Sequence, residues 1–403
     1  MHPTEALTDT APSLPLKGLL VADFSRVLAG PLASMTLADL GARVIKVERP
    51  GSGDDTRSWG PPFSTTGSTY FASVNRNKES VCLDLRDPVD LALARELASR
   101  ADVLIENFKP GGMDSLGLGY DELRVANPGL IYASISGFGS TGGRELPGYD
   151  FMVQALGGLM SITGELAGEP MKVGVAIVDI LTAKDATIGI LAALTARNTA
   201  GPSFGLGCQL EVNLLSSLQG ALANQGQAYL GGSATPTRMG NAHPSIAPYE
   251  LLHCADLPLA IACGNDKQFR SILEVLGLGE FASDERFLTN PARVENRDAL
   301  VALLESRLTT AAAAQWQNAL TDAGVPVGQV NTIAEGIALA ESLGLAPTIA
   351  VQDASGATVG TQLRNPITWL PAIAPRVSAP PLLGEHTGAV RQWLASEPLG
   401  PKR

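Results

Sequence analysis

Apolar and polar positions fall into two kinds of block along the first half of the chain. Gly18–Phe24 (GLLVADF), Val44–Val47, Ser80–Leu85, Val103–Ile105 and Leu130–Ile135 are short, nearly uninterrupted apolar runs. That is the pattern of strands covered on both faces. Ala29-Gly30-Pro31 opens a helix with proline at its first position, carries Leu32, Met35 and Leu40 on one side and stops at Gly41. Pro88–Ser99 reads as a second helix. Strand, helix and strand at this spacing make a parallel crossover. Its repetition predicts an α/β fold with a parallel sheet, whose ligands sit at the carboxyl ends of the strands.

The pattern then lengthens. A helix is expected over 151–160, a long one from just after Asp179 to about Thr199, a strand over Cys208–Val212 and a helix over Leu214–Leu230. Gly231–Pro236 reads as a linker. Beyond it, a strand at Leu259–Ala262 and helices at 267–276, 297–307 and 312–323 predict a second, smaller domain over 226–330. Residues 1–15 read as a loose tail, and 331–403 as loop-rich chain ending in a helix near Glu385.

Composition narrows the function. A chain of 403 residues with 45% apolar and 17% charged positions supports a large core. A net charge of −11 argues against nucleic acid or an anionic membrane as the main partner. The four cysteines lie far apart with no C-x-x-C pair, as expected of reduced thiols in a cytoplasmic protein. No apolar run approaches the roughly 18 residues of a membrane span. Residues 1–15 hold no Arg or Lys and fit neither a signal nor a transit peptide.

Elimination leaves carboxylates as the chemistry. No Lys precedes Ser or Thr, so a P-loop is absent, and the first strand leads into Ser25–Pro31 (SRVLAGP) rather than G-x-G-x-x-G. With His only at 2, 243, 253 and 386 and no H-E-x-x-H, no metal site is expected. The stretch Pro147–Ala186 carries two acids, Asp150 ahead of a helix and Asp179 behind the apolar run Val173–Val178. Each reads either as a helix cap or as a reactive carboxylate with a raised pKa.

The chain resembles the class III coenzyme A transferases. The likeness is carried by RVLAGP (26–31), LGARVIKVERPGSGDDTR (40–57), SVNRNK (73–78), ADVLIENFKPG (101–111), GYDFMVQALGGLMSITG (148–164), VGVAIVDI (173–180), GNDKQF (264–269) and PPLLGEHT (380–387). DDTRSWGPPF (54–63) and RMGNAHPSIAPYE (238–250) are most similar to the succinyl-CoA:glutarate branch. The resemblance implies a large Rossmann-like domain over 16–225 with a parallel sheet, the inserted smaller α/β domain, and residues 331–403 returning to the large one. It also implies an interlocked homodimer. No cofactor is bound permanently; a CoA thioester is the substrate, together with a carboxylic acid.

It further assigns roles. Asp179 falls on the family's nucleophile, which forms an acyl anhydride and then an aspartyl-CoA thioester. Asp150 matches an acidic position near the reacting groups. Arg49 falls where the CoA nucleotide lies, with Leu83 and Arg86 lining the same site. Arg26, Arg57, Arg76, Arg238 and His243 are the polar candidates for clamping an acceptor carboxylate. Tyr149 stands where the racemase branch has a His, which disfavours α-proton exchange because a phenol titrates near pH ~10. Leu28 replaces the Gln of the formyl-CoA branch. The second half has no glycine run longer than Gly231-Gly232, which points away from formate and oxalate. The rival readings are a 2-methylacyl-CoA racemase and a non-catalytic CoA-ester binding protein.

Overall fold

The computed structural model describes residues 13–232 and 234–396; most of the tail expected over 1–15 lies outside them. The chain divides into two compact units, one of residues 1–157, 174–226 and 346–403, the other of 158–173 and 227–345.

The first unit is built on β1 (Leu20–Asp23), β2 (Arg43–Glu48), β3 (Lys78–Cys82), β4 (Val103–Glu106), β5 (Ile131–Ser136) and β6 (Cys208–Asn213). They form one sheet in the order β3-β2-β1-β4-β5-β6. Every pairing is parallel. This is the doubly wound order, with its reversal between β1 and β4, where such sheets bind ligands. Helix α1 (Ala29–Asp39) ends at Leu40, and Gly41 takes the left-handed turn (φ 110°) that returns the chain into β2. α2 (Pro88–Arg100) is capped by Asp87, whose carboxylate accepts from the amides of Val89 and Asp90.

The one long connection, from β5 to β6, carries both α3 (Asp150–Leu156) and α4 (Ile177–Asn198). α4 packs against α1. It starts four residues earlier than the position 181 expected from the pattern, and Val173–Ala176 is irregular chain. Leu214–Leu230 is two helices, α5 (Leu214–Ala221) and α6 (Ala223–Gly232), because Ala223 takes φ 42° between them. A large apolar core under the sheet joins Leu97, Leu104, Leu118 and Tyr132 with Val390 and Leu394 of the helix over Thr387–Ala395. The segment after residue 345 also contains a hairpin, Thr348–Gln352 with Thr358–Leu363, in a stretch whose sequence reads as loop.

In the second unit, Tyr249–His253, Pro258–Ala262 and Val327–Gln329 form a three-stranded antiparallel sheet. Helices Asp266–Val275, Arg297–Leu308 and Ala313–Asp322 share its core with Phe269, Leu273, Leu304 and Leu320.

Buried strands of a parallel sheet are normally apolar, yet β1 and β2 end in charge and β3 begins with it. Asp23, Lys46, Glu48, Lys78 and Ser80 are all buried. Lys78 bonds Asp23 at 3.0 Å and Lys46 bonds Asp54 at 2.9 Å, with all four side chains fully enclosed. Burial opposes charge on Asp23, but Lys78, Lys46 and two serine hydroxyls outweigh it and bring the carboxyl down to about 2. Asp23 therefore stays ionised at the end of β1, while burial brings its partner Lys78 down to about 8.

Candidate active site

Two cavities open at the carboxyl ends of the six strands. The first, about 570 Å³, is lined by Phe24 and Arg26 after β1, Glu48–Pro50 at the end of β2, Leu83–Arg86 after β3, and Phe108 after β4. The second, about 460 Å³, is lined by Arg26–Ala29, Asn107–Pro110, Ile135–Gly137 and Tyr149, and by Asp179. Arg26 and Phe108 line both cavities, with the guanidinium 5.9 Å from the ring centroid. The shared wall stands at the sheet's reversal point.

Asp179 lies inside the first turn of α4, not at its cap, so the capping alternative left open by the pattern does not hold. The cap comes from Asp150. Its Oδ2 accepts the amides of Val178 at 2.7 Å and Asp179 at 3.3 Å, while Gln154 Nε2 donates to its Oδ1 at 2.5 Å. Asp150 is the first residue of α3, and its own helix has no side-chain cap. Backbone contact places it there. Gly137 follows β5 and abuts Gly148, so closely that a Cβ on either would come within 2.3 Å of the other's Cα. That contact brings Tyr149 and Asp150 to the strand ends.

Asp179 is half-buried, and among the described residues no donor lies within hydrogen-bond distance of its carboxylate. Burial, followed by the charge of Asp150, pushes its pKa from 3.8 up to about 7. A reactive carboxylate free of partners is what covalent chemistry needs. The amides at the start of α4 are occupied by Asp150, so they are not available as an oxyanion site. Tyr70, absent from the candidates read off the sequence, senses the same pair. Burial and then the charges of Asp179 and Asp150 push its phenol up to about 12, which leaves it a neutral donor.

The cationic candidates separate. Arg26 and Arg49 both pair with Asp55, at 3.1 and 2.6 Å, and remain about half exposed. Arg86 projects into solvent beside Asp84, while Leu83 is buried in the wall of the first cavity. Arg57 and Arg76 are not brought to Asp179. Arg57 is held by both oxygens of Glu48 at 2.7 and 2.6 Å and lies over Phe71. Arg76 is buried against both oxygens of Asp39 at 2.9 and 2.6 Å and lines a separate cavity near the C-terminal hairpin. Each of these guanidiniums is thus already engaged by a carboxylate. Arg238 and His243 belong to the second unit. Arg238 Nε donates to the Glu165 carbonyl at 3.2 Å, and His243 Nδ1 accepts from the Ser245 amide at 3.1 Å and packs beside Tyr249.

Lys109 and Arg144 also line the cavity of Asp179, each beside Glu145. Lys109 sits in the quoted ENFKPG run and could have been found there; Arg144 lies in a loop with no periodic signal. Leu28 lines the same cavity with only 8% of its surface exposed. One serine-elbow match, Gly201–Gly205 (GPSFG), lies in an exposed turn between α4 and β6, with no strand ahead of it. Among the described residues there is no group of three or more His, Cys, Asp or Glu able to hold a metal, and no helix long and apolar enough to cross a membrane.

The signature of CoA-transferase family III matches residues 16–387. The chain is similar to a succinate–glutarate CoA-transferase of Agrobacterium fabrum, 42% identical over 93% of this chain and 94% of that one. It is also similar to an acetyl-CoA:oxalate CoA-transferase of Acetobacter aceti, 44% identical over 82% and 85% of the two chains. Among solved structures, a CaiB/BaiF family protein from Brucella suis superimposes with a TM-score of 0.83 at 45% identity, covering 95% of this chain and 100% of the other. The chain belongs to CoA-transferase family III, and is an enzyme that uses CoA thioesters as substrates.

Proposed function

We propose that the protein moves CoA from succinyl-CoA to a short dicarboxylic acid, with glutarate the leading acceptor, through covalent chemistry on Asp179. The observation that carries this reading is the unpartnered, half-buried Asp179 carboxylate facing a cavity at the sheet's reversal point. The names of the two relatives support a dicarboxylate, since glutarate and oxalate are both diacids.

In the first step an Asp179 oxygen attacks the thioester carbonyl. The C–S bond breaks, giving a mixed anhydride and CoA thiolate. The thiolate then attacks the aspartyl carbonyl of the anhydride, releasing succinate and leaving an aspartyl-CoA thioester. The acceptor carboxylate attacks that thioester to form a second anhydride and free the thiolate. The thiolate finally takes the acyl group of the acceptor, and Asp179 is regenerated. Each exchange is between activated acyl groups, so one hard transfer becomes several easier ones.

In this reading the CoA nucleotide occupies the first cavity beside Arg49, Leu83 and Arg86. The thioester arm passes Arg26 and Phe108 to reach Asp179. Arg26, Lys109 and Arg144 are the cations lining the second cavity that could receive a distal carboxylate. The interlocked homodimer belongs to the same proposal. The helix over Ile333–Ser342 supports it, because it buries none of its residues and leaves Ile333 86% exposed.

Incubation with succinyl-CoA followed by hydroxylamine should convert Asp179 to a hydroxamate, read by peptide mass spectrometry. An acceptor panel of glutarate, oxalate and monocarboxylates should then show transfer by the wild type and none by Asp179→Ala. Transfer by the Ala variant would defeat the covalent mechanism, and a preference for monocarboxylates would defeat the substrate class.

A further inference from the structure

Val27 is a β-branched residue at φ 71°, a conformation its side chain disfavours. Its neighbours hold it there. The Val27 amide faces both oxygens of Asp54 at 3.3 Å. Asn107 clamps the preceding peptide, accepting the Arg26 amide at 2.8 Å and donating to the Arg26 carbonyl at 2.7 Å.

Asp54 is itself fixed from below. It accepts from the Thr56 amide and hydroxyl at 3.0 and 2.8 Å, and its own amide donates to Glu48 at 3.0 Å. The buried Lys46 ammonium bonds Asp54 at 2.9 Å and the Ser25 carbonyl at 2.8 Å, so one group ties both sides of the turn. The turn matters because of where it sends the chain. It leaves Arg26 on the wall shared by both cavities and Leu28–Ala29 on the wall of the cavity holding Asp179.

We propose that Asp54 is a positioning residue for the transfer reaction: by holding Val27 in its left-handed conformation it aims Arg26 at the wall past which the CoA ester runs. This rests on reading the two cavities as the acyl-CoA groove. Asp54 sits at the wall of the first cavity and away from the cavity of Asp179, with its carboxylate taken up by Lys46, Thr56 and the Val27 amide, so it acts through the backbone of residues 26–28. The acidic pair of the GSGDDTR run thereby splits into two jobs, with Asp54 beneath the loop and Asp55 pairing Arg26 and Arg49 at its surface.

A double-mutant cycle separates positioning from simple support of the buried lysine. Asp54→Ala should raise KM for succinyl-CoA about tenfold or more and leave KM for glutarate nearly unchanged. In a Val27→Gly background the same change should cost about twofold or less, because glycine takes the left-handed conformation unaided. Both backgrounds leave Lys46 unpaired, so their losses in melting temperature should match. An equal activity loss in both backgrounds would overturn the positioning role, as would a loss spread evenly over both substrates. Should Asp54→Ala not fold, the cycle is run with Asp54→Asn under the same criterion. Asp179→Ala, measured in parallel, keeps the two ideas apart. Activity there defeats the proposed function, whereas an inactive Asp179→Ala with a flat cycle defeats only the role of Asp54.

Discussion

Replacing Asp179 with Asn should abolish transfer and stabilise the fold, with a pH signature fixed by the direction of the Asp179 shift. Its carboxyl titrates near 3.8 when unfolded and at about 7 in the folded chain. Below the unfolded value both states are protonated, and the residue costs nothing. Between the two values the folded carboxyl holds a proton that the unfolded one has lost, so wild-type stability declines as pH rises, and the penalty is complete above about pH 7. At 1.36 kcal/mol per tenfold change, the ceiling is about 4 kcal/mol. The carboxylate is only half-buried, and solvent screening reduces this to about 1–2 kcal/mol. Asn is close to isosteric and cannot ionise. Thermal melts of both proteins at pH 4 to 9 should therefore coincide near pH 4 and diverge to a plateau above pH 7, with the Asn variant higher by about 1–2 °C. A gap that is constant across pH, or that favours the wild type at high pH, would refute the desolvation argument. Loss of activity alongside gained stability is the trade expected if this desolvated carboxylate is the proposed nucleophile.

Three further outcomes follow from the site. The wild-type kcat/KM for succinyl-CoA should rise with pH through an apparent pKa of about 7, since the proposed attack needs ionised Asp179; a limb near pH 4 would mean that the carboxylate is not desolvated in solution. Asp150→Ala removes the bonds to the Val178 and Asp179 amides and a neighbouring negative charge. Its kcat should fall about 10- to 100-fold through lost alignment, with the acid limb moved to lower pH, and an unmoved limb would show that the two carboxylates do not interact. Arg49→Ala should raise KM for acyl-CoA about tenfold and leave KM for the acceptor acid unchanged; equal effects on both would remove Arg49 from the nucleotide site.

Much of the large unit was readable from the chain because buried parallel strands and their crossover helices leave local marks. The runs at Gly18–Phe24 and Val44–Val47 and the Pro31 and Gly41 punctuation needed no distant partner to be recognised. The hairpin at Thr348–Gln352 and Thr358–Leu363 was missed because its strands lie mostly half-exposed, and its register shifts near Gln352, which blurs the alternation. The start of α4 was placed late because Ile177 and Val178 prolong an apolar run. Its cap lies 28 residues upstream in sequence, on another helix, and no local rule finds a cap supplied from there.

The sequence by itself pointed to carboxylate chemistry, predicted an α/β fold with a parallel sheet, and put Asp179 and Asp150 in one segment; the strand order came only with the tertiary structure. It could not rank the arginines, because a guanidinium's role depends on which acids surround it in space. Only the tertiary structure tied Arg57 to Glu48 and Arg76 to Asp39, and left Arg26 at the wall between the cavities. The packing likewise made Asp150 the cap of the helix that bears Asp179. It also left the Asp179 carboxylate without a donor among the described residues, so nothing offsets the burial and the Asp150 charge that raise its pKa.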